Sequence, residues 1–232
     1  MGETSLLGKR QPGTRFALPP EGALLSNGPD DPLPFYYRRF SGLLYRRRIE
    51  LALSLLAPPY ESVLELGYGS GVLIPTLVSI GRRVYGLDRE SDPAQVQRRL
   101  TQLGTQATLM RGDARRLPFS DQRFDLVVAI SIFEHIADLE PVIQETARVL
   151  KPGGSLLVGM PRVDRLMERL FPLIGYDNIR EQHVSTYQQF LAVADRRFDV
   201  VRITSMPARI PTFAGLYFVM LLKNHATDGH RH

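Results

Sequence analysis

Short apolar runs alternate with amphipathic stretches from residue 61 onward, and this alternation predicts strands and helices in turn. Residues 124–130 (FDLVVAI) form a continuous apolar run, which is typical of a parallel strand buried on both faces. Similar runs predict further strands at 61–66, 82–88, 107–113 and 155–160. Amphipathic patterns between the runs predict helices at 72–80, 93–103 and 138–150, with Ser91 or Asp92 capping the second of these. Strands joined by helical crossovers predict a parallel sheet with helices on both faces.

The C-terminal third continues with one helix and two strands. The helix is predicted at 185–194, and the strands at 198–206 and 212–223. Because the link PARIP between the two strands is short, they are expected to pair antiparallel.

The first 58 residues differ from the rest. Residues 1–34 are rich in Pro and Gly without a period, which predicts a flexible N-terminal arm. Residues 35–56 have a helical period, and Pro58 and Pro59 end the predicted helix. Its apolar face is expected to comprise Tyr37, Phe40, Leu44, Leu51 and Leu55. The predicted segments are therefore an arm at 1–34, a lid helix at 35–58, a main domain at 59–224 with an insertion at 161–182, and a polar tail at 225–232.

Composition narrows the classes of protein. The 232 residues suit one α/β domain, and the lack of Cys excludes disulfide scaffolds, thiolate zinc sites and Cys nucleophiles. The net charge of +5 permits an anionic partner without requiring one. The chain begins without the apolar core of a signal peptide, and its apolar run at 213–222 is shorter than the roughly 20 residues that span a bilayer. We therefore expect a cytoplasmic protein.

A glycine-rich loop follows the first predicted strand, in the segment Glu65-Leu66-Gly67-Tyr68-Gly69-Ser70-Gly71. In open α/β sheets ligands bind beyond the carboxyl ends of the strands, so this loop is the first candidate for a site. Its spacing is G-x-G-x-G, because Val72 and Ile74 stand where a dinucleotide fingerprint needs its last glycine.

Two acidic residues end the next two predicted strands. Asp88 is placed to accept hydrogen bonds from ribose hydroxyls, and Asp113 to accept one from an exocyclic amine such as that of adenine. Each residue alone could be a helix cap or a turn residue. One glycine loop and two acids at three successive strand ends together predict a nucleoside site.

Five segments together resemble the class I S-adenosylmethionine-dependent methyltransferase family: VLELGYGSG (63–71), VYGLD (84–88), GDARRLPF (112–119), FDLVVAISIFEHI (124–136) and ETARVLKPGGSLLVGMP (145–161). The resemblance implies a Rossmann-like, doubly wound α/β fold with a mostly parallel seven-stranded sheet whose last strand is antiparallel. It also implies S-adenosylmethionine as the cofactor. Glu65 replaces the more frequent Asp of the family, and the bulky Tyr68 is expected to narrow the methionine end of the pocket.

The resemblance implies these cofactor-binding residues: Glu65, Gly67, Tyr68, Gly69, Gly71, Asp88, Arg89, Gly112, Asp113, Ala114, Ser131 and Ile132. The predicted catalytic residues are His183 and Glu134, and the predicted substrate-binding residues are His135, Tyr187 and Tyr37.

Each of these roles has an alternative. His183 is either a general base or substrate ligand, or the anchor of a loop. Glu134 either contacts the methionine amino group or caps the next turn, His135 could be a structural imidazole, and Tyr187 could serve packing. Since no His and carboxylate cluster has metal-ligand spacing, we predict no metal.

Arginines crowd the predicted lid helix and are interleaved with aromatic residues; they are Arg38, Arg39, Arg46, Arg47 and Arg48. They could attract a phosphate, a carboxylate or a lipid surface to the lid, or form a solvated face. No recognisable nucleic-acid module accompanies them, so a nucleic-acid partner is not expected.

The leading interpretation is a methyltransferase that acts on a small-molecule acceptor at oxygen, nitrogen or carbon. One alternative is an RNA or protein methyltransferase that docks through the Arg-rich helix. Another is a non-catalytic binding or scaffold protein of the same fold. The sequence leaves the acceptor and the oligomeric state open.

Overall fold

The fold is built on one sheet of seven strands. The computed structural model describes residues 14–28, 31–162, 184–207 and 215–225. The strands are Tyr60–Leu66 (β1), Gly81–Asp88 (β2), Thr108–Arg111 (β3), Phe124–Ile130 (β4), Leu150–Pro161 (β5), Phe198–Met206 (β6) and Tyr217–Asn224 (β7).

The strand order in the sheet is β3-β2-β1-β4-β5-β7-β6. The pairs among the first five strands are parallel, and β7 runs antiparallel to both of its neighbours. This confirms the predicted doubly wound, mostly parallel sheet with an antiparallel last strand. The order reverses direction between β1 and β4, and such a switch point is where open α/β sheets bind ligands.

Helices cover both faces of the sheet. They are Leu33–Tyr37 (α1), Ser41–Leu53 (α2), Ile74–Ile80 (α3), Pro93–Gln102 (α4), Leu139–Val149 (α5) and Tyr187–Ala194 (α6), with a 3₁₀ turn at Phe133–His135. Asp92 caps α4, because its side chain accepts from the Ala94 and Gln95 amides. Of the two predicted caps, Asp92 is thus the one that the structure uses. None of the helices in the described ranges is long and apolar enough to cross a membrane.

Two apolar cores lie on opposite faces of the sheet, and β4 contributes to both. Val127 and Ala129 pack into the core that contains α5 and α6, while Leu126 and Val128 pack into the core that contains α2, α3 and α4. All four side chains are fully buried, which explains why the run is apolar throughout rather than alternating.

The single helix predicted over 35–56 is wrong. The chain forms α1 and α2 instead, separated by Arg38 in an extended conformation. The break changes the helical phase between the two parts, so the predicted apolar face is only partly right: Tyr37, Leu51 and Leu55 pack against the core, whereas Phe40 and Leu44 are exposed. Phe40 is 84% exposed and Leu44 46%, while Tyr36 and Ile49 are buried against the sheet domain.

Part of the segment predicted as a flexible arm is attached to the domain. Leu24 is buried, and the Ala17 amide donates to Thr76 Oγ1 at 3.0 Å. The Tyr37 hydroxyl donates to the Pro19 carbonyl at 3.0 Å. Residues 14–28 therefore pack along α1 and α3.

Several element boundaries differ from expectation. β3 ends at Arg111 rather than at residue 113, so Asp113 follows the strand instead of ending it. The fifth strand begins at Leu150 rather than at residue 155, since the Lys-Pro-Gly-Gly segment is extended, and β7 begins at Tyr217 rather than at residue 212. Residues 163–182 of the predicted insertion, and the end of the polar tail, lie outside the described residues.

The corner between α1 and α2 depends on a glycine. A Cβ on Gly42 would lie 2.5 Å from the Tyr36 carbonyl oxygen, so any side chain there would push α1 away. We expect Gly42→Ala to lower the free energy of unfolding by about 1–3 kcal/mol in urea titrations, despite the better helix propensity of Ala.

The neighbouring Leu43 provides the control, because it is 62% exposed on the same helix. Leu43→Ala should change stability by no more than about 0.5 kcal/mol. A Gly42→Ala variant as stable as the wild type would contradict this packing of α1 on α2.

Candidate functional site

The glycine loop connects β1 to α3 and has an unusual backbone. Gly67, Gly69 and Gly71 all have positive φ, at 70°, 53° and 82°. The Gly67 amide donates to the Leu87 carbonyl at 2.7 Å, which holds the start of the loop against the end of β2. The loop thus lies at the carboxyl ends of β1 and β2, as predicted.

Gly67 also allows the residue after β4 to approach. A Cβ on Gly67 would lie 1.9 Å from Ile132 Cδ1, so only glycine fits at this position. Ser131, next to Ile132, has a positive φ of 59° and donates its amide to the Gly159 carbonyl at 2.7 Å. The chain after β4 is therefore turned toward the loop, which brings two predicted cofactor residues to it.

Asp88 joins the loop to the turn before α4. Its Oδ2 accepts from the Gly69 amide at 2.9 Å, and its Oδ1 accepts from the Glu90 and Ser91 amides at 2.8 and 2.9 Å. The Ser91 hydroxyl donates back to the Gly69 carbonyl at 3.0 Å. Asp88 therefore positions the loop; its predicted role with ribose stays a prediction.

Residues near the N-terminus also reach this loop, which the sequence interpretation missed. The Asn27 side-chain amide donates to Ser91 Oγ at 2.8 Å, and the Ser70 hydroxyl donates to Asp31 Oδ1 at 3.4 Å. The only signal was the Asn-Gly and Pro-Asp turn composition around residues 27–31, which does not indicate what the turn contacts.

Asp113 lies beside Asp88 but is paired with an arginine. The Gly112 amide donates to the Asp88 carbonyl at 2.8 Å, which places the end of β3 next to the end of β2. Arg115 Nε donates to both Asp113 carboxylate oxygens at 3.0 Å. This pairing lowers the pKa of Asp113 to about 2, so the carboxylate is ionised at neutral pH. Its predicted contact with adenine stays a prediction.

Glu65 is a buried carboxyl group below the loop. Only 5% of the residue is exposed, and its Oε2 has no hydrogen-bond partner in the described structure. Burial raises the pKa of Glu65 to about 8, and the nearby charge of Asp88 adds to the shift. Such an unsatisfied buried oxygen is available to a bound ligand.

The bulky Tyr68 packs against β2. A Cβ on Gly86 would lie 2.8 Å from Tyr68 Cδ1, so the glycine in β2 makes room for the ring. The buried Tyr68 hydroxyl lacks a hydrogen-bond partner within the described ranges. The bulk that we expected to narrow the methionine end is thus accommodated at the strand that carries Asp88.

Glu134 lies in the 3₁₀ turn after β4 and is fully buried. Neither carboxyl oxygen has a hydrogen-bond partner among the residues described. Burial raises the pKa of Glu134 to about 8, although the charge of Arg48 and the Ser131 side chain act in the opposite direction. The Glu134 carbonyl accepts from the Val184 amide at 2.8 Å, which places residue 184 beside the turn.

A polar cluster next to Ser131 was missed. Its Oγ lies 3.0 Å from the Tyr217 hydroxyl and 3.4 Å from Arg48 Nη1, and Arg48 Nη2 donates to the Tyr36 hydroxyl at 3.3 Å. We had grouped Arg48 with four other arginines of the lid. Arg48 is inward-facing because it lies one helical turn before Ala52, which is buried where α2 packs on the sheet domain.

The remaining predicted residues have varied surroundings. Tyr37 bonds to Pro19, as described above, and Tyr187 stacks on Phe218 with ring centroids 3.8 Å apart. His135 is exposed at the end of its turn. Arg89, an exposed residue, accepts from Arg111 Nε through its carbonyl, and Ala114 packs against the core.

His183 lies outside the described residues, so its predicted role stays a prediction. In the described part of the chain, no three His, Asp or Glu side chains are grouped as metal ligands would be.

The approach of Ile132 to the loop predicts unequal effects at two glycines. Gly67→Ala combines positive φ with a clash and should lower the free energy of unfolding by about 3 kcal/mol. Gly69→Ala also has positive φ, but open space surrounds its Cβ, so a loss of about 1–2 kcal/mol is expected. Urea titration measures both losses. Equal losses would show that Ile132 does not rest on Gly67.

Burial of Glu65 predicts a pH dependence of stability. Because its folded pKa of about 8 lies above the ordinary 4.5, ionisation opposes folding, and the protein loses stability as the pH rises from 4.5 to 8. Glu65→Gln should therefore match the wild type near pH 4 and exceed its free energy of unfolding at pH 8 by about 2 kcal/mol.

Urea titrations at both pH values test this, with Glu61→Gln as the control on the exposed part of the same strand. Glu134 contributes a loss of the same sign and is unchanged in both variants. A Glu65→Gln variant without a gain at pH 8 would contradict the expectation.

Comparison with known proteins finds similar sequences and structures. Residues 64–158 match the family model described as "Methyltransferase domain". An uncharacterized 37.1 kDa protein in transposon TN4556 of Streptomyces fradiae is 36% identical over 116 residues, which are 49% of this chain and 34% of the relative. A ubiquinone biosynthesis O-methyltransferase of Chelativorans sp. is 30% identical over 127 residues, 53% of this chain and 49% of the relative. The chain thus spans between a third and a half of the length of these relatives.

Solved structures share the fold. The N-methyltransferase NodS of Bradyrhizobium japonicum WM9, solved in complex with S-adenosyl-L-homocysteine, has a TM-score of 0.61 and 17% identity. The match covers 86% of this chain and 94% of that chain. The fold, the matched domain and the named relatives agree with the resemblance deduced from the motifs and with the predicted cofactor. Residues 64–158 are thus similar to a methyltransferase domain, and the chain shares the fold of a methyltransferase solved with S-adenosyl-L-homocysteine.

Proposed function

We propose that this chain is an enzyme that transfers a methyl group from S-adenosylmethionine to a small-molecule acceptor. The observation that carries the proposal is the joining of three strand ends at the switch point. The glycine loop after β1 is hydrogen-bonded to Asp88 at the end of β2, and the β3 end with Asp113 is tied to the same residue. This is one continuous surface on which a nucleoside can lie.

The residues present fit the donor. The buried Glu65 oxygen without a partner suits the cationic amino group of the methionine part, because a cation beside Glu65 would lower its raised pKa and favour the ionised carboxylate. Open space at Gly69 leaves room for a ligand beside the loop. In this arrangement Asp88 would accept from the ribose hydroxyls, and Asp113 would lie at the adenine end, where its bonds to Arg115 would be shared or opened.

S-adenosylmethionine, when bound, supplies a methyl group already activated by a sulfonium. Because the electrophile is activated, the protein contributes mainly by orienting the two partners and excluding water. Ser131 and Ile132, held against the loop by Gly67, would fix the boundary between donor and acceptor.

In this proposal Glu134 donates a hydrogen bond to the acceptor, and His183 accepts the proton that the acceptor loses. With its pKa raised to about 8, the buried Glu134 is largely protonated at pH 7 and would donate a hydrogen bond to the acceptor. The acceptor proton would then pass to His183, which directly precedes Val184 in the sequence; the Val184 amide donates to the Glu134 carbonyl. The Chelativorans relative, which is named for ubiquinone biosynthesis, supports a small organic acceptor.

Donor binding should depend on Asp88. Asp88→Asn replaces the carboxylate with a neutral amide. The Gly69 amide and the ribose hydroxyls would then lose a charged acceptor. We expect the affinity for S-adenosylhomocysteine, measured by calorimetry, to fall by about 1.5–3 kcal/mol.

Asp125→Asn is the matched control. Asp125 also accepts a backbone amide, that of Ser62 at 2.8 Å, and it pairs with Lys151 at 2.7 Å, but it lies at the opposite end of the sheet. That variant should bind as the wild type does. A folded Asp88→Asn protein with wild-type affinity, or a wild type that gives no heat at millimolar ligand, would contradict the proposal.

A further inference from the structure

Among the described residues, a cation inside the site, Arg48, has no counter-ion. The Arg48 guanidinium sits 4.1 Å from the Tyr45 ring centroid, 5.4 Å from that of Tyr217 and 5.8 Å from that of Tyr36. Its hydrogen bonds go to the hydroxyls of Tyr36 and Ser131. In the ranges that the structure describes, no carboxylate forms an ion pair with it.

The neutral hydroxyl groups that bind Arg48 do not neutralise its positive charge. Arginine stays protonated in proteins, and a buried cation is costly unless it is paired and hydrogen-bonded. Arg48 Nε is buried and has no hydrogen-bond partner within the described chain, although part of the residue remains accessible to solvent. The arrangement leaves both the charge and one donor available to a ligand that reaches the site.

Glu134 does not neutralise it. Its carboxyl group feels the charge of Arg48, but burial outweighs that attraction and keeps the group largely protonated at pH 7. The Tyr36 hydroxyl accepts a hydrogen bond from the guanidinium. Burial raises the pKa of the flanking Tyr217, so its hydroxyl is neutral at this pH and does not pair with the guanidinium as an anion.

The position of the cluster indicates which ligand it serves. Ser131 directly follows β4, and Tyr217 begins β7, which lies beyond β4 and β5 in the sheet. Asp88 and Asp113 lie on the other side of β4, at the ends of β2 and β3. Arg48 is therefore separated from the nucleoside surface by the strand after which the acceptor side opens.

We propose that Arg48 binds a carboxylate of the methyl acceptor, between the tyrosine rings that flank it. Nε and the adjacent Nη form the parallel donor pair that matches the two oxygens of a carboxylate. The rings of Tyr36, Tyr45 and Tyr217 surround the guanidinium with apolar surface, and a hydrogen bond to a carboxylate is stronger in such a low-dielectric environment. That the carboxylate belongs to the methyl acceptor rests on the proposed function. Carboxylate binding by Arg48 is tested independently of it.

Calorimetry on the full chain tests it, with benzoate and its neutral analogue benzamide as probes and with S-adenosylhomocysteine in a separate arm. The wild type should bind benzoate at least about tenfold more tightly than benzamide, since a guanidinium pairs strongly with a carboxylate. Arg48→Met should lose this preference while its affinity for S-adenosylhomocysteine stays within about threefold of the wild type.

Arg47→Met is the control, because Arg47 is the exposed neighbour on the same helix and pairs only with Glu50 among the described residues. Its preference for benzoate should equal that of the wild type. If Arg48→Met does not fold, Arg48→Lys decides, because Lys keeps the charge but lacks the fork. Its preference should fall by at least about threefold, and an unchanged preference would overturn the inference.

The remaining outcomes separate the two proposals. A wild type that binds both probes equally, or an Arg48→Met variant that keeps its preference and instead loses affinity for S-adenosylhomocysteine, overturns the acceptor site and leaves the proposed function intact. Benzoate binding that depends on Arg48, in a protein that does not bind S-adenosylhomocysteine, supports the anion site and contradicts the proposed function.

Discussion

The Asp88 carboxylate accepts hydrogen bonds from three backbone amides at the end of β2, and these bonds set the geometry of the site. One oxygen holds Gly69 and hence the middle of the glycine loop; the other holds the turn that leads to the Asp92 cap of α4. Bonds from amides to an ionised carboxylate are stronger than neutral ones, so a single side chain keeps two loops in register. Without this link the Gly69 amide and the turn before α4 would lose their shared acceptor, although the contacts of the loop with Leu87, Ile132 and Ser91 would remain.

The other buried polar groups of the site have few hydrogen-bond or charge partners to offset the cost of their burial. Glu65 and Glu134 are buried with unsatisfied oxygens, the Tyr68 hydroxyl has no partner in the described structure, and Arg48 has only neutral ones. Each of these groups opposes stability in the free protein. They surround the switch point on both sides of β4, where a donor and an acceptor would supply the missing partners. Bound ligands would satisfy these groups and so offset the free energy that their burial costs the free protein, which is typical of functional sites.

The sheet and the loop could be predicted because local sequence determines them. The apolar run of β4 requires burial on both faces, and the spacing of Gly67, Gly69 and Gly71 requires a loop with positive φ. The break between α1 and α2 could not be predicted, since the helical period continues through Arg38 in the sequence. The ion pair of Asp113 with Arg115 could not be predicted from the sequence either, because both residues are also common in solvent-exposed turns.

Arg48 shows the same limit within the site. Five arginines of one short stretch look alike by composition, and only the packing of α2 on the sheet separates the inward one from the rest. Its environment comes from Tyr217 and Ser131, which are more than 80 residues away in the chain. Long-range contacts of this kind are set by tertiary packing, and a helical pattern alone does not reveal them.

A crystal structure of the chain with bound S-adenosylhomocysteine tests the central claim most directly. The account predicts that the ribose hydroxyls lie within hydrogen-bond distance of Asp88, with the adenine at the end of β3 and the amino acid part beside Glu65. A nucleoside bound away from the ends of β1, β2 and β3 would contradict it.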